Sequence, residues 1–204
     1  VRALVLRPTK KGCVLEDARH KKEFPSLVFN LPSEQNLLHK VLQLEGLQQV
    51  QVHHITGYVP SFYGFVHNIG VPYTVFIHDY AFFCQRVSLL GPHDTYCGEP
   101  ALQQCVQCVA LASVHTTGDK CTLEAYLTSS RRFYRAARRV YTPSQDTAVK
   151  MARHFSGVRF IVCPPQEDKA LPPLQPSVLA GGTKRAVLPG SGLLQTAQAR
   201  SRVR

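Results

Sequence analysis

The sequence predicts an α/β fold, a mostly parallel sheet with helices on both faces. Three observations carry that reading. Short apolar runs rich in β-formers alternate with amphipathic stretches of helix length, capping residues and glycines punctuate them, and no internal repeat is visible. Alternation of this kind builds strand–helix–strand units whose strands are covered by the crossover helices.

Residues 2–6 and 27–31 read as short strands. Ser33 is placed to cap a helix whose Leu37, Leu38, Val41 and Leu42 form an apolar face, and Gly46 ends it. Residues 50–54 form a strand in which Val50 and Val52 share a face; residues 60–68 suit a short helix closed by Gly70. The run Tyr73-Thr74-Val75-Phe76-Ile77 is a buried strand, flanked by Pro72 and His78. A cysteine-containing irregular stretch follows. Residues 122–137 read as a helix with Leu123, Leu127 and Tyr134 on one side. Arg131, Arg132, Arg135, Arg138 and Arg139 lie toward its C-terminal end, where the helix dipole favours cations. Residues 140–142 are a strand, and Ser144 caps a helix with Ala148, Met151, Ala152 and Phe155 at helical spacing. Residues 158–163 close the series as a last strand.

The predicted domain therefore covers residues 1–163. From Pro164 the composition changes: Pro165, Pro172, Pro173 and Pro176 mark residues 164–204 as a linker leading into the incomplete start of a second domain, with residues 186–188 followed by Gly190 and Gly192 read as the opening of that unit. Val1 is not an initiator Met, which points to processing or truncation at the front.

With 44% hydrophobic and 18% charged residues, the 204-residue chain has an ordinary globular composition and no run long enough to span a membrane. The net charge of +11 raises nucleic acid as a partner. Its distribution speaks against that. Residues 1–22 hold seven basic groups against two acidic, residues 169–204 hold six basic and no acidic, and the block between is neutral. A nucleic-acid domain carries its basic stripe on the folded body. Seven cysteines without a signal peptide are expected to sit reduced, in the cytoplasm.

In open parallel sheets, ligands bind beyond the carboxyl ends of the strands. Two predicted strands end there in polar residues: one runs into His53-His54-Ile55-Thr56-Gly57, the other into His78-Asp79-Tyr80. Histidines at such positions serve a phosphate or a hydroxyl, or simply bond a neighbouring loop. Asp79, if it reaches His78, raises the imidazole pKa while burial lowers it, so the prediction is one of location: His54 and His78 share one cleft.

Cys84, Cys97, Cys105 and Cys108 form a second group, ending in Cys-x-x-Cys. They read either as a structural zinc site or as buried free thiols packed as small hydrophobes; for Cys13, Cys121 and Cys163, which stand alone, the thiol reading holds. No His-x-Glu occurs, which excludes a zinc deaminase, and the Cys-x-x-Cys lies outside the strand–helix context of a thioredoxin-like motif.

The stretch from Val52-His53-His54-Ile55-Thr56-Gly57 through His78-Asp79-Tyr80-Ala81-Phe82-Phe83-Cys84-Gln85-Arg86 to Tyr96-Cys97-Gly98-Glu99-Pro100 resembles a branch of the family-4 glycosyltransferases with the GT-B fold. Val140-Tyr141-Thr142-Pro143-Ser144-Gln145-Asp146-Thr147-Ala148 looks like that family's Pro-Ser-x-x-Ala segment. The match covers roughly residues 27–165. Gln85 stands where the family usually has Pro, the glycine-rich first loop is not recognisable, and no second domain is recognisable after about Arg185.

The resemblance implies a Rossmann-like half of a GT-B enzyme that moves a sugar, with retention, from a nucleotide-diphosphate donor to a saccharide or other hydroxyl acceptor. It implies no organic cofactor. His78 would contact the reacting sugar or phosphate and Asp79 would orient it. His53, His54, Gly57, Arg86 and Ser144 would line the substrate pocket, while Cys84, Cys97, Cys105 and Cys108 hold the following loop. Charge on the leaving diphosphate is stabilised mostly from the second domain in such enzymes, so this length alone is expected to be inactive. The competing expectation is a non-catalytic, zinc-stabilised α/β module that binds a partner or a saccharide.

Overall fold

The alternating apolar runs fold as two sheets. The computed structural model describes residues 3–18, 25–58, 61–111 and 122–165. Arg2, Pro60, Cys121 and the stretch from 166 on, including the opening of a second unit read at 186–188, lie outside the described residues.

A three-stranded antiparallel sheet opens the chain: β1 (Leu4–Thr9), β2 (Gly12–Asp17) and β3 (Leu27–Asn30), in that order. Its central strand was not foreseen from the sequence. Cys13, Leu15 and Asp17 alternate as buried residues along it, the period-two pattern of a strand with one covered face. Gly12 is held close to β3, where an added Cβ would come within 2.0 Å of the Phe29 carbonyl oxygen.

Helix α1 (Gln35–Leu44) follows, burying Leu38 and Leu42 while Leu37 is exposed. Ser33 does not cap it: its hydroxyl donates to the Asn30 carbonyl, and Glu34 stands at the N-cap without a side-chain bond to the helix. The C-terminus closes as expected, with Leu47 N–H donating to the Leu42 carbonyl and Gly46 N–H to that of Gln43, a Schellman closure.

The second sheet is all parallel, in the order β4 (Val50–Val52), β5 (Tyr73–Phe76), β6 (Arg139–Thr142), β7 (Phe160–Val162). Between its strands run α2 (Ser61–Asn68), α3 (Leu102–Leu111), α4 (Leu123–Ala136) and α5 (Gln145–His154). The predicted α/β class with a parallel, helix-flanked sheet is thus what the chain adopts, and the leading strands form their own antiparallel sheet instead of joining it. Among the described residues no helix is long and apolar enough to cross a membrane.

Thr122 caps α4 by accepting from Ala125 N–H, and Ser144 caps α5 by accepting from Thr147 N–H. The core lies where these helices meet the middle strands. Val75, Val140, Tyr134, Met151 and Phe155 are almost wholly buried. The Tyr134 and Phe155 rings meet edge-on at 4.9 Å and Tyr73 stacks on Phe133 at 4.8 Å, spacings at which aromatic pairs attract beyond their burial. On α5 the buried positions are Thr147, Ala148 and Met151, whereas Ala152 is exposed.

Candidate functional site

Register decides which side chains meet. Val52 of β4 pairs with Val75 of β5, so the residues leaving the two strands emerge side by side at the carboxyl edge of the sheet. His53 lies flat on Phe76, centroids 4.7 Å apart and planes within 3°. The His78 ring then stacks against both His53, at 5.3 Å, and His54, at 5.0 Å. His54 and His78 therefore share one location, as their strand-end positions predict.

Two hydrogen bonds order this group. His53 Nδ1 and His78 Nε2 are 3.0 Å apart, so one of the two must carry the hydrogen and the other accept it. His54 Nδ1 lies 3.1 Å from Asp79 Oδ2, the donor side of an ion pair when His54 is protonated. The other carboxylate oxygen of Asp79 accepts from Ala81 N–H at 2.9 Å, which fixes the turn after β5.

These contacts split the histidines electrostatically. The hydrogen bond to Asp79 raises the His54 pKa against the opposing effect of burial. Burial lowers His53, and the charge of His54 adds to that. His78 is also lowered, first by burial and then by His54 and His53; the adjacent Asp79 pulls upward and loses. Asp79 reaches across the strand ends to bond His54, while its charge still pulls His78 upward. Asp79 itself is drawn up by burial, but its bonds to His54 and Ala81 prevail and hold its carboxyl low. The cluster thus sets two imidazoles whose charged forms are disfavoured beside a histidine–carboxylate pair whose charged forms are favoured.

The remaining expected pocket residues have local duties. Gly57 has φ +91 and packs against β1, where an added Cβ would come within 3.0 Å of Pro8 Cγ; the neighbouring Tyr58 hydroxyl donates to the Leu6 carbonyl at 2.5 Å. Its conformation is thus explained by the fold without a ligand. Ser144 leaves the same edge of the sheet two residues beyond β6, with its hydroxyl engaged as the α5 cap. Arg86 is 8% exposed and clamps the loop after β5: Nη1 donates to the Leu90 and Gly91 carbonyls, and Nη2 to Asp94 Oδ1.

Cys84, Cys97, Cys105 and Cys108 are half-buried free thiols. Cys105 and Cys108 sit one turn apart on α3, a helix the sequence reading left irregular. The cysteines neighbour one another. Burial raises the Cys105 thiol most, and the charges of Cys97, Cys84 and Cys108 raise it further; burial also raises Cys84, against backbone hydrogen bonds from Leu89 and Arg86 and with a smaller push from Cys97 and Cys108. Among the described residues no three or more His, Cys, Asp or Glu side chains converge closely enough to hold a metal ion. The thiols form a loose cluster of the right donor chemistry without a closed tetrahedron.

Sequence reasoning missed a further tie. Glu99, its side chain 2% exposed, lies 3.4 Å from His154 Nε2 and 3.5 Å from Arg153 Nη1, and accepts from the Tyr96 hydroxyl at 2.9 Å. The His154 contact is an ion-pair distance without hydrogen-bond alignment. His154 also stacks on Phe83 at 3.9 Å, and its burial lowers its pKa against the pull of Glu99. The loop holding Cys97 is thereby joined to the end of α5. The only sequence signal was a lone acidic residue between glycine and proline.

No family model, curated protein or solved structure matches the chain.

Proposed function

We propose that the chain supplies the acceptor-binding side of a retaining glycosyltransferase, using a nucleotide-diphosphate sugar as donor and a saccharide or other hydroxyl as acceptor. The observation carrying this reading is the His53–His78 pair beside His54 and Asp79 at the carboxyl edge of the parallel sheet. A sugar hydroxyl both donates and accepts, and a neutral imidazole does the same. His78 contacts the reacting hydroxyl. Asp79 orients the group through His54, whose protonated form it favours at the rim. The free thiols fit a reducing compartment, the cytoplasm in this reading.

The test is saturation binding followed by the histidine ring resonances, titrating nucleotide-sugars and then oligosaccharides into the full chain. The rings of His53 and His78 should shift together, and His78→Ala should abolish saturation while leaving the melting curve unchanged. If no ligand in either panel moves those rings, the reading fails.

A second reading is favoured by one observation: α3 buries none of its residues, and its half-buried positions include Cys105 and Cys108. In this reading the module binds without catalysis, and a structural zinc held by Cys84, Cys97, Cys105 and Cys108 fastens α3. Elemental analysis of reduced protein should find about one zinc per chain, lost in the Cys105→Ser/Cys108→Ser variant. Metal-free protein with all four thiols open to titration removes this reading.

A further inference from the structure

The opposite edge of the parallel sheet carries a second polar concentration, independent of the histidine cluster. Where α4 ends and β6 and β7 begin, a hollow of about 280 Å³ is lined by Arg135, Arg138, Arg139 and Arg159, with Tyr134 among its walls. The topology forces this grouping. In neighbouring parallel strands the starts lie together, so Arg139 at the start of β6 and Arg159 just before β7 come to one edge. Arg135 and Arg138 arrive from the last turn of α4 and the link out of it.

The charges are held but not neutralised. Arg135 Nη2 donates to the Ser156 carbonyl at 3.2 Å, and Arg139 Nη1 to the Tyr141 hydroxyl at 3.3 Å. Both acceptors are neutral. The backbone N–H of Arg138 donates to the Tyr73 carbonyl, which anchors that residue at the sheet edge. No carboxylate lines the hollow among the described residues. The α4 C-terminus offsets about half an elementary charge, against four guanidinium groups. Four like charges at one place are costly unless an anion joins them, and guanidinium matches phosphate oxygens in paired, planar hydrogen bonds. The volume falls just below the roughly 300–1,000 Å³ of pockets for drug-sized ligands, the scale of a small anionic group.

We propose that this hollow is a binding site for a phosphate-bearing anion. It lies across the sheet from the histidine cluster, roughly 10–13 Å away by strand length at about 3.3 Å per residue, and it stands whether or not the glycosyltransferase reading does. A free phosphate compound and a phospholipid headgroup share this chemistry, and the experiment separates them.

Full-length protein is titrated with inorganic pyrophosphate at low salt, and in parallel co-sedimented with phosphatidylglycerol or phosphatidylcholine vesicles. The main variant is Arg138→Gln/Arg159→Gln, chosen because the bonds of Arg135 to Ser156 and of Arg139 to Tyr141 stay intact. Saturable pyrophosphate binding that weakens about tenfold or more in this variant, equivalent to roughly 1.4 kcal/mol, supports a free anion. Capture by phosphatidylglycerol vesicles alone, lost in the same variant, supports a headgroup. Arg138→Lys/Arg159→Lys should keep most of either signal, and Arg132→Gln, on α4 but outside the hollow, should keep all of it. Absence of saturable binding in both arms overturns the proposal. So does binding that the double Gln variant leaves unchanged, since the charge responsible would then lie elsewhere on the chain.

Discussion

Around β5 and β6 the chain buries Val75, Val140, Tyr134, Met151 and Phe155 almost completely, whereas the segment from Cys84 to the end of α3 places no helical residue in the core. The first region is positioned by packing. The second is positioned by a few directed ties, the Arg86 clamp and the Glu99 contacts with α5. Its backbone shows the difference too. Val87, Leu89, Asp94 and Glu99 all have positive φ, and they account for every such non-glycine residue among those described. A β-branched residue such as Val87 pays for that conformation. The histidine cluster stands on the packed region, while the loop that follows Asp79 belongs to the tied one. A rigid edge and an adjustable neighbour are a common arrangement for a binding site.

The comparison breaks most sharply at Phe155. Its ring is fully buried against Tyr134 and Phe83. Phe155→Ala should cost about 3–5 kcal/mol, measured by denaturant unfolding. A loss below about 1 kcal/mol would mean that the core can collapse around the gap or that the packed region is not the stable one.

A smaller effect separates two serines that look alike in sequence. Ser144 caps α5 through Thr147 N–H, so Ser144→Ala should cost about 1 kcal/mol. Ser33 has its hydroxyl on the Asn30 carbonyl and caps nothing, so Ser33→Ala should stay within about 0.5 kcal/mol. Equal losses would sink the assignment of the two roles.

That pair also shows what could be read from residues alone. The strands β4 to β7 and the helices α1, α4 and α5 were legible because their apolar spacing is regular over a full element. β2 was not, since its buried face is Cys13, Leu15 and Asp17, a pattern interrupted by a charge. α3 escaped because cysteines hold inward positions while Leu102, Val106 and Leu111 are exposed along with the glutamines, so no apolar face marks the helix. At the candidate site, the positions of His53, His54, His78 and Asp79 followed from strand ends. Their pairing did not, because the β4–β5 register decides that Asp79 reaches His54 and His53 reaches His78. For Arg86, the sequence held no sign of the loop carbonyls and Asp94 that take its donors.

The His54–Asp79 pair gives a pH-dependent effect of modest size, since His54 is more than half exposed. The raised His54 pKa adds stability that is full below the unfolded histidine value and lost as pH rises through the folded one. The lowered Asp79 pKa adds stability present above the unfolded aspartate value and lost as pH falls through the folded one. The two overlap between roughly pH 4 and 6.5. His53 and His78, both lowered, work against folding as pH falls below the unfolded histidine value, because the unfolded chain then takes up protons that the folded one resists. Subtracting the Asp79→Asn curve from the wild type should therefore leave a difference of about 0.2–1 kcal/mol, largest in that window and shrinking with salt. A flat difference across pH 4 to 8 would show that the pair does not form in solution.

The smallest effect lies on the outward face of α3. Val106 is 51% exposed and Leu111 78% exposed, so replacing them removes little surface that folding had buried. Val106→Ser/Leu111→Ser should change stability by no more than about 0.5 kcal/mol. Helix propensity differs little between valine and serine, and Leu111 is the last residue of α3, where propensity counts least, which leaves burial as the deciding term. The same double change placed in the packed region would cost several times more, as at Phe155. A loss beyond about 1 kcal/mol at α3 would mean these side chains are covered in solution. The tied segment would then have a hydrophobic contact of its own, and the contrast between the two regions would narrow. A null effect combined with faster amide exchange in α3 than in α4 would widen it, because local opening follows the scarcity of buried contacts.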